Sequence, residues 1–246
     1  MAGAIYRLVE ALSPTPAYAL VIVPHCDDAD YYCGGMLAGW AAQGRRVVLA
    51  VLTDGAKGTM DLQQPPAELT AQRRAEQRRA AAHLGLAAVE FLAYSEGEVD
   101  NSPPLRRDLV RLIRRHRPEV VVTLDPRADA VPPGGINHPD HRNTGRATLD
   151  AIYPAAHMPT FFPELLAEGL QPHHAAEVLL AATDTADEYV DVSTTLDQKI
   201  AALREHHSQF GDGDGVAAEA RFIAEWTGQR CALELAEGFR RIVNSW

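Results

Sequence analysis

The chain is short of three things, and each shortage removes a class of protein. Only three of its 246 residues are cysteine: Cys26, Cys33 and Cys231. An odd, sparse set with no Cys-x-x-Cys pair gives no disulfide framework and suits a reducing compartment. Positive charge is also short, with 23 Lys and Arg against 33 Asp and Glu and a net charge of −10. Such a surface does not grip a phosphodiester backbone or an anionic bilayer, so neither nucleic acid nor membrane is expected as a partner. Long apolar runs are missing, and none approaches the about 18–20 residues of a membrane span. The first run, Ala17 to Val23, is short and follows Glu10, Pro14 and Pro16, unlike a secretory leader. A cytoplasmic protein is expected, and self-association into a homo-oligomer is left open.

What the chain does have is ordinary globular material. It is 46% hydrophobic and 23% charged, enough for one sizeable core, and a single domain over residues 1–246 is expected. Residues 1–16 read as a short helix or arm. Ala17–Val23, Val47–Leu52, Val89–Ala93 and Glu119–Leu124 are apolar runs, as strands covered on both faces would be. Helical stretches lie between them: Gly34–Gln43, stopped by Gly44; Pro65–Leu84, stopped by Gly85; and Leu105–Arg115, broken by Pro118. This alternation predicts a parallel sheet in a doubly wound α/β fold. Arg142–Ala151 reads as another helix, and 154–175, rich in proline, aromatics and histidine, as an irregular flap over the site. Glu177–Ala182 and Tyr189–Val192 read as strands. A helix is expected from Ser193 or Thr194 to His207, another over Ala217–Ala224, and a final segment over Ala232–Gly238.

Two stretches carry chemistry. Pro24-His25-Cys26-Asp27-Asp28 ends the first strand and is followed by Gly34-Gly35. His138-Pro139-Asp140-His141 lies over a hundred residues later, after the loop that leaves the fourth strand. In such sheets ligands bind beyond the carboxyl ends of the strands, and His25, Asp27, Asp28, Asp54 and Asp125 all fall there. His25 and Asp28, three apart, can place a ring nitrogen and a carboxylate oxygen on one ion. A catalytic zinc has three protein ligands and an open position for water. His141, in the second His/Asp cluster, is the best third ligand, and Asp27 is then free to act as general base. Either stretch alone would pass for a solvated loop with a helix-capping acid. Together they point to a metal site.

Val23 to Asp28, Gly34-Gly35, Thr53-Asp54-Gly55 and His138 to His141, in that order and spacing, resemble the PIG-L/LmbE family of metal-dependent de-N-acetylases. His206-His207-Ser208-Gln209 is similar to a further element of the family. The resemblance implies a Rossmann-like three-layer sandwich around a mostly parallel sheet, with a loop-rich C-terminal part covering the site. It implies a zinc-dependent hydrolase, with Fe2+ or another divalent ion as the alternative, that removes acetyl from an N-acetylated amino sugar or its conjugate. His25, Asp28 and His141 match the metal ligands and Asp27 the general base. His138 matches the residue that steadies the oxyanion and helps protonate the amine, with Asp140 as the acid that orients and charges it. Arg74, rather than Arg73, is taken as the substrate-pocket arginine.

Two positions depart from the family pattern: Cys26 stands where proline is usual, and Ile136 where some members have tyrosine. Cys26 is read as packing, with ligation as the alternative. His83 and His116 are given surface or helix-end roles. Three rivals remain: an amidase acting on a larger thiol-sugar conjugate, a non-hydrolytic nucleotide-binding Rossmann module, and a metal-binding regulator without catalysis. The first strand lacks the G-x-G-x-x-G turn of a nucleotide module and carries acids instead.

Overall fold

The computed structural model describes residues 18–131 and 134–245, so the arm expected over 1–16 lies outside the described residues. Five apolar runs become the parallel strands β1 (Tyr18–Val23), β2 (Arg46–Thr53), β3 (Ala88–Tyr94), β4 (Val120–Leu124) and β5 (Glu177–Ala181). Two more, β6 (Glu188–Asp191) and β7 (Ala236–Val243), extend the sheet, β7 antiparallel to both β5 and β6. The order is β3-β2-β1-β4-β5-β7-β6. It reverses direction between β1 and β4, the switch point where such sheets open a crevice.

Alternation along β1 divides the core. Leu20 and Ile22 join Leu105, Leu109 and Ala147 on one face, while Ala19, Val21 and Val23 join Met36, Leu37 and Trp40 on the other. Helices therefore cover both faces. They are α1 (Asp28–Ala42), α2 (Pro66–His83), α3 (Pro103–His116), α4 (Pro139–Asp150), α5 (Glu164–Ala167), α6 (Leu196–Arg204), α7 (His207–Phe210) and α8 (Asp214–Gln229), with a π-helical turn over Ala151–Ala156. No helix among the described residues is long and apolar enough to cross a membrane.

Three differences from the sequence reading matter for the site. α1 begins at Asp28 instead of Gly34, and α4 at Pro139 instead of Arg142, so both chemical stretches occupy first helical turns. Proline suits that first position, and the His138 ring accepts the Asp140 N–H as a cap. The helix expected to reach His207 is two, α6 and α7. The expected flap does not cover the site. Arg114 of α3 donates to the carbonyls of Ala155, Ala156, Met158 and Phe161, and His173 bonds Pro118 O at the opposite, amino end of β4. The turn between α6 and α7 packs closer by, where His206 bonds Asp30 of α1 and Ser208 bonds Glu76 of α2.

Candidate active site

The last residue of β1, Val23, leads through Pro24 into His25, and Asp28 opens α1. The Asp28 carboxylate accepts the His25 main-chain N–H at 2.9 Å, which folds the turn back on itself. α4 crosses from the β4 side and brings His141 to the same point. His25 Nδ1 and Asp28 Oδ2 are 3.1 Å apart, His141 Nε2 and Asp28 Oδ1 3.0 Å, and the two ring nitrogens 3.3 Å. All three residues are at least nine-tenths buried.

The far nitrogen of each ring is held. His141 Nδ1 meets Asn137 Oδ1 at 2.9 Å, and the Asn137 amide is fixed by donating to Ala128 O at 2.8 Å. His25 Nε2 meets Asp140 Oδ2 at 3.2 Å. Partners of this kind set ring orientation and leave the other lone pair pointing into the cluster. Electrostatics agree. Burial alone would lower the His25 imidazolium, but Asp28, the hydrogen bonds to Asp140 and Asp28, and Asp27 raise it to about 10. Burial would raise Asp28, but His141 and His25 hold it far below the usual carboxylate range. A nest of acids that keeps a proton on an imidazole attracts a metal cation in the same way. A tetrahedral ion with bonds of about 2.0–2.1 Å spaces its ligands by about 3.3 Å, close to the spacing here. The His25, Asp28 and His141 set therefore fits a divalent ion. His25, His138 and Asp140 form a second grouping, but the Asp140 oxygens already accept Gly97 N at 2.6 Å and Val99 N at 3.1 Å.

Asp27 stands beside the cluster, half-buried, with φ 97° and ψ −32°. That left-handed backbone is unusual for a residue with a Cβ. Burial, then the charge of Asp28, push its carboxyl up to about 7, against the pull of His206, His25 and Arg73.

His138 sits over the His25 ring edge-to-face, with centroids 4.7 Å apart. Its Nδ1 accepts the Asp140 N–H at 3.1 Å, so the ring's proton is on Nε2. The Asp140 carboxylate is 3.9 Å from His138 Nδ1 and is committed to His25. Burial and the His25 charge lower His138, outweighing Asp140. Asp140 thus touches both rings: its carboxylate bonds His25 and stands near His138, while its main chain donates to His138 Nδ1.

The two neighbouring arginines of α2 are placed differently. Arg74 donates to Leu92 O and lies over the Phe91 ring, against β3. Arg73, 4% exposed, turns toward the loop after β2, where it donates to Gly58 O and to Gln209 Oε1. Cys26 packs in the apolar cluster with Val23, Ala29 and Met36, and burial raises its thiol. Ile136 is 93% exposed on the loop before His138. Tyr32, whose ring meets His141 edge-on at 5.8 Å, also lines a cavity of about 70 Å³ with Tyr31, Tyr189 and Trp226. Asn137, Asp30 and Gln77 were not singled out from sequence. Asn137 had a signal, since it stands one helical turn before His141.

A strand-end cluster of two imidazoles and a carboxylate, with an acid beside it at a sheet's switch point, is a candidate divalent-metal site of the kind hydrolases carry. The sequence profile described as PIG-L, GlcNAc-PI de-N-acetylase, matches residues 20–152, and the chain belongs to this family. It is 34% identical to the diacetylchitobiose deacetylase of Thermococcus kodakarensis, over 90% of this chain and 81% of that protein. It is 30% identical to the 1D-myo-inositol 2-acetamido-2-deoxy-alpha-D-glucopyranoside deacetylase of Acidothermus cellulolyticus, over 83% and 82%. The solved N,N′-diacetylchitobiose deacetylase of Pyrococcus horikoshii superposes with a TM-score of 0.85 at 30% identity, covering 93% of this chain and 84% of that one.

Proposed function

We propose that the chain is a divalent-metal N-deacetylase that removes the acetyl group from an N-acetylated amino sugar or its conjugate. The observation that carries this reading is the convergence of His25, Asp28 and His141, with Asp27 unpledged beside them. Zinc suits two imidazoles and one carboxylate, and Fe2+ is the alternative. A bound ion of this kind supplies Lewis acidity and a water acidic enough to attack at neutral pH. The residues do the rest. Asp27, with a carboxyl near 7, takes the proton of the attacking water as it adds to the amide carbon. His138 donates from Nε2 to the oxygen that gains charge. The C–N bond breaks as Asp27 returns its proton to the nitrogen, leaving acetate and a free amine. The resemblance also gives His138 a part in that protonation, which its Nε2 proton can serve.

The substrate class is supported by the relatives, whose names share a 2-acetamido sugar. A cytoplasmic setting fits the three free thiols, and a single domain fits the one continuous sheet. The test is metal analysis of purified protein, with free-amine detection on N-acetylglucosamine, N,N′-diacetylchitobiose and an inositol conjugate. About one ion per chain and amine release are expected. Absence of amine from every substrate after zinc or Fe2+ addition would sink the reading.

A further inference from the structure

His206-His207-Ser208-Gln209 is distant in sequence from both metal stretches and takes no part in the chemistry above. Yet His206 is 1% exposed and its Nε2 lies 2.7 Å from Asp30 Oδ2. Gln77 of α2, fully buried, donates from Nε2 to the same oxygen at 2.9 Å. The other end of that amide, Oε1, accepts the Asp27 main-chain N–H at 3.0 Å. The His206 segment is itself pinned to α2, because Ser208 N and Oγ both donate to Glu76 and Gln209 accepts from Arg73. A continuous chain of buried hydrogen bonds therefore runs from the α6–α7 turn, through Asp30 and Gln77, to the peptide of Asp27.

We propose that Gln77, Asp30 and His206 are positioning residues that hold Asp27 in its left-handed backbone and so aim its carboxylate at the attacking water. The inference rests on Asp27 being the base. Its physical basis is that φ 97° persists for a residue with a side chain only where surroundings fix it. The amide of Gln77 does this with a fixed direction: one end can only accept and the other only donate. Asp30 orients that amide through a single oxygen, since its Oδ1 has no hydrogen-bond partner. His206 holds Asp30 from the far side. None of the three is among the residues placed at the reacting atoms.

Turnover of N,N′-diacetylchitobiose by the zinc-loaded enzyme tests the chain of contacts. In Gln77→Ala and His206→Ala, kcat falls about 10- to 100-fold, as expected for a displaced catalytic group. KM stays within about threefold, and zinc per chain is unchanged, because no ligand is touched. His206→Gln, whose amide nitrogen reaches the place of Nε2, recovers kcat to within about threefold of the parent. Adding Gln77→Ala to Asp27→Ala costs nothing further, since the contact acts only through Asp27. Crystal structures of metal-loaded Gln77→Ala and His206→Gln give a readout independent of any substrate. Asp27 leaves positive φ in the first and keeps it in the second. An Asp27 still near φ 97° in Gln77→Ala, or an additive loss in the double variant, overturns the proposal. Full turnover by Asp27→Ala alone would overturn the base assignment instead, and the backbone angle would still decide what Gln77 does. Should Gln77→Ala not fold, Gln77→Glu stands in: it keeps the acceptor for Asp27 N–H but loses the donor to Asp30, and the same loss of kcat is expected.

Discussion

At the scale of single residues, Asp27 sets function against stability. A non-glycine residue in its backbone region costs on the order of 1–3 kcal/mol, and its carboxyl is partly desolvated as well. Asp27→Gly should therefore unfold at a higher temperature, by the equivalent of about 1 kcal/mol after the entropy glycine adds to the unfolded chain. It should also lose about 100-fold or more in kcat while still binding its ion. Calorimetry and metal analysis of the same sample check both halves. Asp140→Asn tests which of its two ring partners that acid serves. Weakening the hold on His25 Nε2 should lower zinc affinity by about 10- to 100-fold, measured by competition with a chelator. An unchanged affinity with only kcat reduced would favour the His138 role implied by the resemblance. The clustering of His25 with Asp28 was legible from sequence, because residue type and a spacing of three bring them together. The partner of Asp140 was not, since it depends on where the β3 loop places Gly97 and Val99. Which of Arg73 and Arg74 turns toward the loop after β2 was not legible either: neighbours on a helix point about 100° apart, and one step sends Arg74 to β3 and Arg73 to Gly58.

Among the elements, α4 carries the most consequence, because it presses His141 against the end of β4. Gly145 is the point of closest approach. A Cβ there would lie 2.1 Å from Leu124 O, a backbone atom with nowhere to go. Gly145→Ala should cost about 3 kcal/mol, at the upper end for an overpacked site, and should lower bound metal as α4 tilts away. Denaturant melts of the apo and zinc-loaded protein measure the two effects; equal stability to the parent would contradict this packing. The early starts of α1 and α4 were hidden because His and Asp are weak helix formers, and Pro139 was read as loop when it is a first-turn residue. The residues over 154–175 are largely irregular, as their prolines and aromatics suggest, but they lie away from the site. What fixes them is a buried arginine on another helix, Arg114, which no local pattern discloses.

For the molecule as a whole, parallel strands and interleaved helices were legible from apolar runs and glycine stops. The antiparallel edge was not, because Glu237 and Gly238 interrupt the apolar pattern of β7. The central charge cluster makes a global prediction. In the metal-free protein His25 keeps its proton to about 10, whereas in the unfolded chain it releases it near pH 6.5. The folded state therefore binds the extra proton between these values. Stability from this group is full below about pH 6.5 and is lost as pH rises toward 10. Melting temperatures in chelator should decline over that range, and zinc should remove most of the decline by replacing the proton. A flat profile in chelator would count against the charge assignment. The sequence positions of the site add a consequence for how its work is divided. Every proposed ligand lies within the first 141 residues, but His206 follows only after β5 and β6. In chain order, then, the residues proposed to hold the ion come first and the residue proposed to aim the base comes late, so the two tasks are carried by separate parts of the chain.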